Sequence, residues 1–430
     1  MSRSGLAAIL AALSICLASA LLGAPAAVAA PPGAVAAPPA ATATQPAPVN
    51  TAAPPVGQGC TVRAAPPPPV DSSEAPRPGR LPPGPLPVPA HPVGGARLGE
   101  CADILPPGAP RLPAGETSAS WILADLDNGA VLAARDPHAR HRPASTLKVL
   151  TALVALQRLD LDALVEGTAA DANVSGSRVG IGPGGHYTVR QLLTGLIMNS
   201  GNDAANALAR QLGGVPVTLA AMSETASQTG ALDTRPTSPS GLDAPGMATS
   251  AYDLAVLFRL AMRDPTFAEI NRTRLFEWPG YADKPGFTIS SDNKMLTTYP
   301  GTIGGKTGFT DDARHTRIVA AERNGRRLVV ALTRAETHPV PVDTQAARLL
   351  DYGFALHPGT PSVGALVDRR QPDDGTGGTQ GVPPGAPGGV PGPNHRLAGL
   401  LVIGGGALVG GLLSLLLARR PTGRYAAGRY

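Results

Sequence analysis

Residues 143–148 read Pro143-Ala144-Ser145-Thr146-Leu147-Lys148, and the apolar positions Leu147, Leu150 and Val154 then follow near helical spacing. The spacing predicts a helix over Ser145–Leu159. It places Ser145 and Lys148 three residues apart on one face, where an amine can take a proton from a hydroxyl. A nucleophile and its base would then occupy a single turn. The pair alone is weak, because 21 serines and four lysines give roughly 0.2 chance matches. Its weight depends on what else converges on it.

Two further groups do so. The stretch 192–208, LLTGLIMNSGNDAANAL, predicts one helix over Val189–Met198, capped by Thr188, and another over Ala204–Leu212, capped by Asp203. Ser200, Gly201 and Asn202 fall in the break between them, where side chains can face a cleft. The stretch 299–310, YPGTIGGKTGFT, carries Lys306, Thr307 and Gly308 on a predicted strand, with a glycine that lets a ligand lie close to the backbone.

The three groups, with SGLD at residues 240–243, resemble the penicillin-recognising serine enzymes, and most closely the D-alanyl-D-alanine carboxypeptidases of peptidase family S11. The resemblance covers most of residues 120–336. It implies that Ser145 attacks the bond between the two terminal D-alanines of a peptidoglycan stem peptide, with Lys148, neutral, as general base. It implies Ser200 as proton relay to the leaving amine, Asn202 as a ligand of the acyl-side amide, and Lys306 and Thr307 as receptors of the terminal carboxylate. The oxyanion would lie between the backbone N–H groups of Ser145 and Phe309, beside Gly308. The same resemblance implies β-lactams as inhibitors, and no cofactor or metal.

Around these groups the chain predicts an α/β fold of the serine β-lactamase and DD-peptidase kind, an antiparallel sheet packed with helices beside a helical lobe. Strands are expected over 120–125 and 130–134 around the turn Asp127-Asn128-Gly129, and over 304–309, 317–321 and 327–333, the last two joined by Asn324-Gly325. Helices are expected over 252–263 and 343–354. The catalytic domain is placed at residues 116–357.

The flanks differ in composition. Residues 1–29 pair Arg3 with an apolar run and small residues at Ala27-Val28-Ala29, as in a cleaved export signal. Residues 30–110 are alanine- and proline-rich and read as an extended spacer, and residues 358–394 read as a proline- and glycine-rich linker. Residues 397–418 are uncharged and long enough to span a bilayer, with arginines after them in a cytoplasmic tail, residues 419–430. This predicts a single-pass protein of the cell membrane whose catalytic domain lies outside. In that oxidising setting Cys60 and Cys101, the two cysteines left after the signal, are expected to pair. Net charge is +5 without a basic block, which argues against nucleic acid as a partner. His138 and His141 have no carboxylate near them in sequence and read as packing or surface residues.

Two departures from the family pattern stand out: Arg314 and His315 where small residues are usual, expected to narrow substrate choice, and Ser238 where asparagine is usual. A class A-like β-lactamase would share the three groups but needs a glutamate activating the deacylating water, and neither Glu224, Glu269 nor Glu277 has the expected setting. A non-catalytic penicillin sensor would need more than the short tail to signal with.

Overall fold

The computed structural model describes Cys60 and residues 62–369. The expected export signal, the transmembrane span, the tail, residues 30–59 of the first spacer and residues 370–394 of the linker lie outside the described residues. Among the described residues no helix is long and apolar enough to cross a membrane.

In chain order the first elements are β1 (Asp103–Ile104), β2 (Ser120–Asp125), β3 (Ala130–Arg135), α1 (Lys148–Arg158), β4 (Leu164–Glu166), α2 (Ala169–Ala172) and β5 (His186–Thr188). A helical run follows: α3 (Val189–Met198), α4 (Asn202–Gln211), α5 (Val215–Gln228), α6 (Ala251–Ala261) and α7 (Pro265–Arg272). The hairpin β6 (Leu275–Trp278) and β7 (Phe287–Ser290), the short α8 (Met295–Thr298), then β8 (Thr302–Thr310), β9 (Arg314–Arg323), β10 (Arg326–Ala335), α9 (Val342–Ala355) and β11 (Gly364–Ala365) complete it.

Seven strands form one antiparallel sheet in the order β1-β3-β2-β10-β9-β8, with β11 also pairing β3. Strands from early and late in the described residues thus meet in one sheet, as expected, and β8 is left as an edge strand. Both sheet faces are covered, so alternate residues of each strand enter different cores. Ile122, Ala124, Val329 and Ala331 pack with the helical run, whereas Trp121, Leu123, Leu328 and Val330 pack with Leu349 and Leu350 of α9. The turns follow local chemistry. Asp125 accepts the N–H groups of Asp127 and Asn128, Gly129 takes φ 79°, and Asn324 and Gly325 take φ 51° and 75°, the paired left-handed turn of a tight hairpin.

The expectation of a spacer over 30–110 needs correction for its described part. Residues 62–110 pack on the domain as a strap, and sheet pairing begins at Asp103, upstream of the predicted boundary. A chain without helix or strand can dock when its carbonyls are needed elsewhere. Arg140, fully buried, donates to the carbonyls of Ala64 (2.9 Å), Leu86 (2.5 Å) and Pro87 (2.7 Å), and its Nε to Asp233 (3.0 Å). Arg142 donates to the Pro67 carbonyl (2.8 Å) and pairs with Glu74, while Asp312 accepts from Val70 N and Ser73 Oγ. Proline-rich backbone cannot spend its oxygens internally, so it offers them to buried arginines.

Cys60 and Cys101 close this strap with a disulfide, Cα–Cα 5.1 Å, 41 residues apart. Closing a loop of that length stabilises by about 4 kcal/mol through the unfolded chain. A Cys60→Ser/Cys101→Ser protein is expected to melt several degrees below the oxidised protein. An unchanged midpoint would mean that the strap docks without help from the bond.

Candidate active site

Pro143 precedes Ser145 by two residues, and residues Ala144–Leu147 form a 3-10 turn before α1 begins at Lys148. The predicted helix therefore starts three residues late. The difference favours the chemistry, because residues three apart in a 3-10 turn eclipse one another. Lys148 Nζ lies 2.8 Å from Ser145 Oγ. Ser145 is only half-buried, whereas Lys148 is fully buried.

Lys148 Nζ also lies 2.7 Å from Asn202 Oδ1 and 2.7 Å from the Ser240 carbonyl. Both are acceptors that cannot donate in return, since Asn202 Nδ2 is turned to the Ser175 carbonyl (2.7 Å). A neutral amine has two N–H groups and one lone pair. With both N–H groups on these oxygens, the lone pair is left facing the Ser145 hydroxyl. Burial, and then the charge of Lys306, hold the Lys148 amine well below its ordinary range, which favours the neutral form.

Ser200 sits at φ 57° before α4, which begins at Asn202. Ala144, beside Ser145, has φ 47°. Left-handed backbone at residues other than glycine costs about 1–3 kcal/mol each, and here it falls next to Ser145 and at Ser200 itself. Lys306 Nζ donates to Ser200 Oγ at 3.0 Å. Burial pushes the Lys306 amine down to about 8, partly opposed by Asp292. Thr307 and Gly308 follow on the edge strand β8, half-buried, and Phe309 is exposed. A Cβ on Gly308 would lie 2.3 Å from Thr316 Oγ1 and 2.8 Å from Ser145 N, so only glycine lets β8 pass this close to Ser145.

The structure thus brings together Ser145, Lys148, Ser200, Asn202, Lys306, Thr307 and Gly308 from a 3-10 turn, a helix, an inter-helix loop and a sheet edge. It adjusts two expectations. Asn202 is almost completely buried and engaged through both ends of its amide, so it holds Lys148 and retains one N–H and one lone pair for a ligand. Asp203, read as a cap, instead accepts the backbone N–H groups of Val179, Gly180 and Ile181 and fastens that loop to α4. The Ser240 carbonyl was not legible as a site group, because a backbone oxygen carries no residue-type signal. Ser238 closes the turn that places it, accepting from Gly241 N (3.1 Å) and donating to the Leu242 carbonyl (3.0 Å).

Arg314 forms a two-point ion pair with Glu336 (2.8 and 2.9 Å), its guanidinium 5.7 Å from the Phe309 ring centre, and the His315 ring lies 4.6 Å from the same ring. Their bulk supports Phe309 at the end of the edge strand. Glu224, Glu269 and Glu277 are exposed, with Glu224 paired to Arg158 and Glu277 to Thr288.

The two histidines are buried. His141 packs with its pKa pushed down to about 3 by burial. His138, contrary to the expectation that it lacked a carboxylate, has Nδ1 2.8 Å from Asp233, brought in from 95 residues away, and Nε2 3.0 Å from the Val93 carbonyl. Asp253 completes a group that could ligate a metal. Both ring nitrogens are spent on protein atoms, however, and Arg140 already supplies Asp233 with a cation.

Residues 109–337 match the family described as D-alanyl-D-alanine carboxypeptidase, peptidase S11. The chain is 49% identical over 270 residues to D-alanyl-D-alanine carboxypeptidase DacB2 of Mycobacterium tuberculosis, covering 62% of this chain and 91% of that one. A crystal structure of a D-alanyl-D-alanine carboxypeptidase from M. tuberculosis superposes with TM-score 0.59 at 48% identity, over 61% of this chain and all of that one. The Streptomyces K15 DD-transpeptidase superposes with TM-score 0.55 at 27% identity, over 57% of this chain and all of that one. The antiparallel sheet packed with helices, the 2.8 Å Ser145–Lys148 pair and these likenesses agree: the chain belongs to the serine D-alanyl-D-alanine carboxypeptidases of peptidase family S11.

Proposed function

We propose that the protein removes the terminal D-alanine from peptidoglycan stem pentapeptides through an ester on Ser145, and that β-lactams acylate the same oxygen. The observation that carries this reading is the Lys148 amine, whose two N–H groups have carbonyl acceptors and whose third direction is Ser145. The free edge of β8 suits an extended peptide laid along it as an added strand. Lys306 and Thr307 would hold its terminal carboxylate, which is what makes the enzyme an exopeptidase. Lys148 would pass the serine proton through Ser200 to the departing D-alanine, and water would then free the enzyme. Residues 1–29 would export the chain and residues 397–418 would anchor it, leaving the domain facing the wall; the support is the apolar pattern of those stretches.

The test is release of D-alanine from a pentapeptide, followed across pH, with labelled penicillin as a second probe. Lys306 serves as a cation only while protonated, and its pKa is about 8, so kcat/KM is expected to fall as pH rises through about 8. Rapid penicillin hydrolysis with an intact pentapeptide would instead identify a β-lactamase.

A further inference from the structure

Lys306, the cation meant for the substrate's terminal carboxylate, is already committed elsewhere. Its Nζ donates to Ser200 Oγ (3.0 Å) and to the Thr307 carbonyl (2.9 Å), and its charge is lost as pH passes about 8. A second cation stands behind the same strand. The β8–β9 register sets Arg317 opposite Thr307, so their side chains leave the same face of the sheet, whereas Lys306 lies opposite Ile318 on the other face. The Arg317 guanidinium is buried, with Nη2 2.7 Å from Asn293 Oδ1 and 3.2 Å from an oxygen of Asp343 in the first turn of α9. Asn293 packs on Gly305, where a Cβ would lie 3.0 Å from its Nδ2. The guanidinium is thus held against β8 at the level of Gly305 and Thr307, and its charge bears on Lys306. Arg317 Nε and Nη1 are buried and have no hydrogen-bond partner among the described residues. An arginine kept only to pair with Asp343 would spend its fork there, because each buried donor left unpaired costs about 1–3 kcal/mol.

We propose that Arg317 is a positioning residue of the carboxylate subsite, a fixed cation behind β8 that draws the substrate's terminal carboxylate onto the Thr307 hydroxyl. The inference rests on the carboxypeptidase reading above and extends it to a residue outside the three sequence groups. Thr307 is half-buried and would make the contact, with Arg317 acting through it. A buried charge reaches further than an exposed one because less water screens it. Burial lowers the Arg317 pKa, opposed by Asp343, yet a guanidinium keeps its proton, so the subsite stays cationic where Lys306 has lost its charge. Asp343 is partly exposed and competes with the incoming carboxylate for the same guanidinium. The consequence is selectivity: a leaving group that carries a free carboxylate is preferred over an otherwise identical neutral one.

The test compares two N-acylated D-alanyl thioesters whose leaving thiols differ only in bearing a free carboxylate or its methyl ester. In each, the C–S bond breaks as the Ser145 ester forms, the serine proton leaves with the thiol, and water then cleaves the ester. The readout is the ratio of the two kcat/KM values, which does not depend on how much of a variant is folded. Arg317→Gln is expected to lower the ratio about thirtyfold, the loss of one charge-assisted interaction. Asp343→Asn removes the competing anion and is expected to raise it about threefold. An Arg317 that only supports the fold would slow both thioesters alike, so an unchanged ratio in Arg317→Gln overturns the proposal. A ratio that Asp343→Asn leaves unchanged or lowers also overturns it, and that variant decides the matter should Arg317→Gln not fold. A parent protein that turns over neither thioester nor a pentapeptide would instead overturn the carboxypeptidase reading and this inference with it.

Discussion

Ser145→Ala is expected to lower D-alanine release by a factor on the order of 10⁴ or more and to abolish covalent labelling by penicillin, while the fold is retained. The magnitude follows from the chemistry. Without the hydroxyl there is no ester, and only the binding and polarising groups around it remain to act on water. Retention of the fold follows from the packing. Ser145 is half-buried, and the 3-10 turn is held by Thr146 Oγ1 donating to the Pro143 carbonyl (2.6 Å) and by Thr316 Oγ1 donating to the same oxygen (2.8 Å), neither of which involves the serine hydroxyl. Measurement of D-alanine release together with the melting temperature separates loss of chemistry from loss of structure. A folded Ser145→Ala protein that still carried the penicillin label would place the nucleophile elsewhere, and Ser200, on Lys306, would be the first alternative to test.

Much of this site could be read from the chain because its chemistry depends on residue types at short spacings. Ser145 with Lys148 and Ser200 with Asn202 are local pairs, and the strand of Lys306 is marked by its glycines. The sheet was legible for a related reason: Asp127-Asn128-Gly129 and Asn324-Gly325 are turns whose backbone demands those residues. What escaped was non-local or carried by backbone. The strap of residues 62–110 has no apolar periodicity, and its docking comes from carbonyls meeting Arg140 and Arg142, partners some 50 to 75 residues away. The meeting of His138 and Asp233 is of the same kind. The start of α1 was misplaced because a 3-10 turn and the first turn of an α-helix share the same sequence signals.

Lys148→Met tests the base, and the expected outcome is a loss of about 10³-fold or more in both D-alanine release and the rate of penicillin acylation. Methionine fills nearly the same volume, so the packing around α1 is kept. Its removal of the amine leaves Asn202 Oδ1 and the Ser240 carbonyl without their donor, at about 1–3 kcal/mol each, so a modest fall in melting temperature is expected alongside the kinetic loss. Lys148→Arg provides the discriminating contrast. If Lys148 acted only as a fixed positive charge, arginine would preserve the function. If it acts as a neutral base, arginine fails as completely as methionine, because a guanidinium does not give up its proton. Burial and the neighbouring Lys306 charge, which hold the Lys148 amine well below its ordinary range, favour the second outcome. Acylation within tenfold of the parent rate in Lys148→Met would exclude Lys148 as the base. The Ser145 proton would then have to leave by way of Ser200 and Lys306, whose amine, at about 8, is the other one in the site that could be neutral.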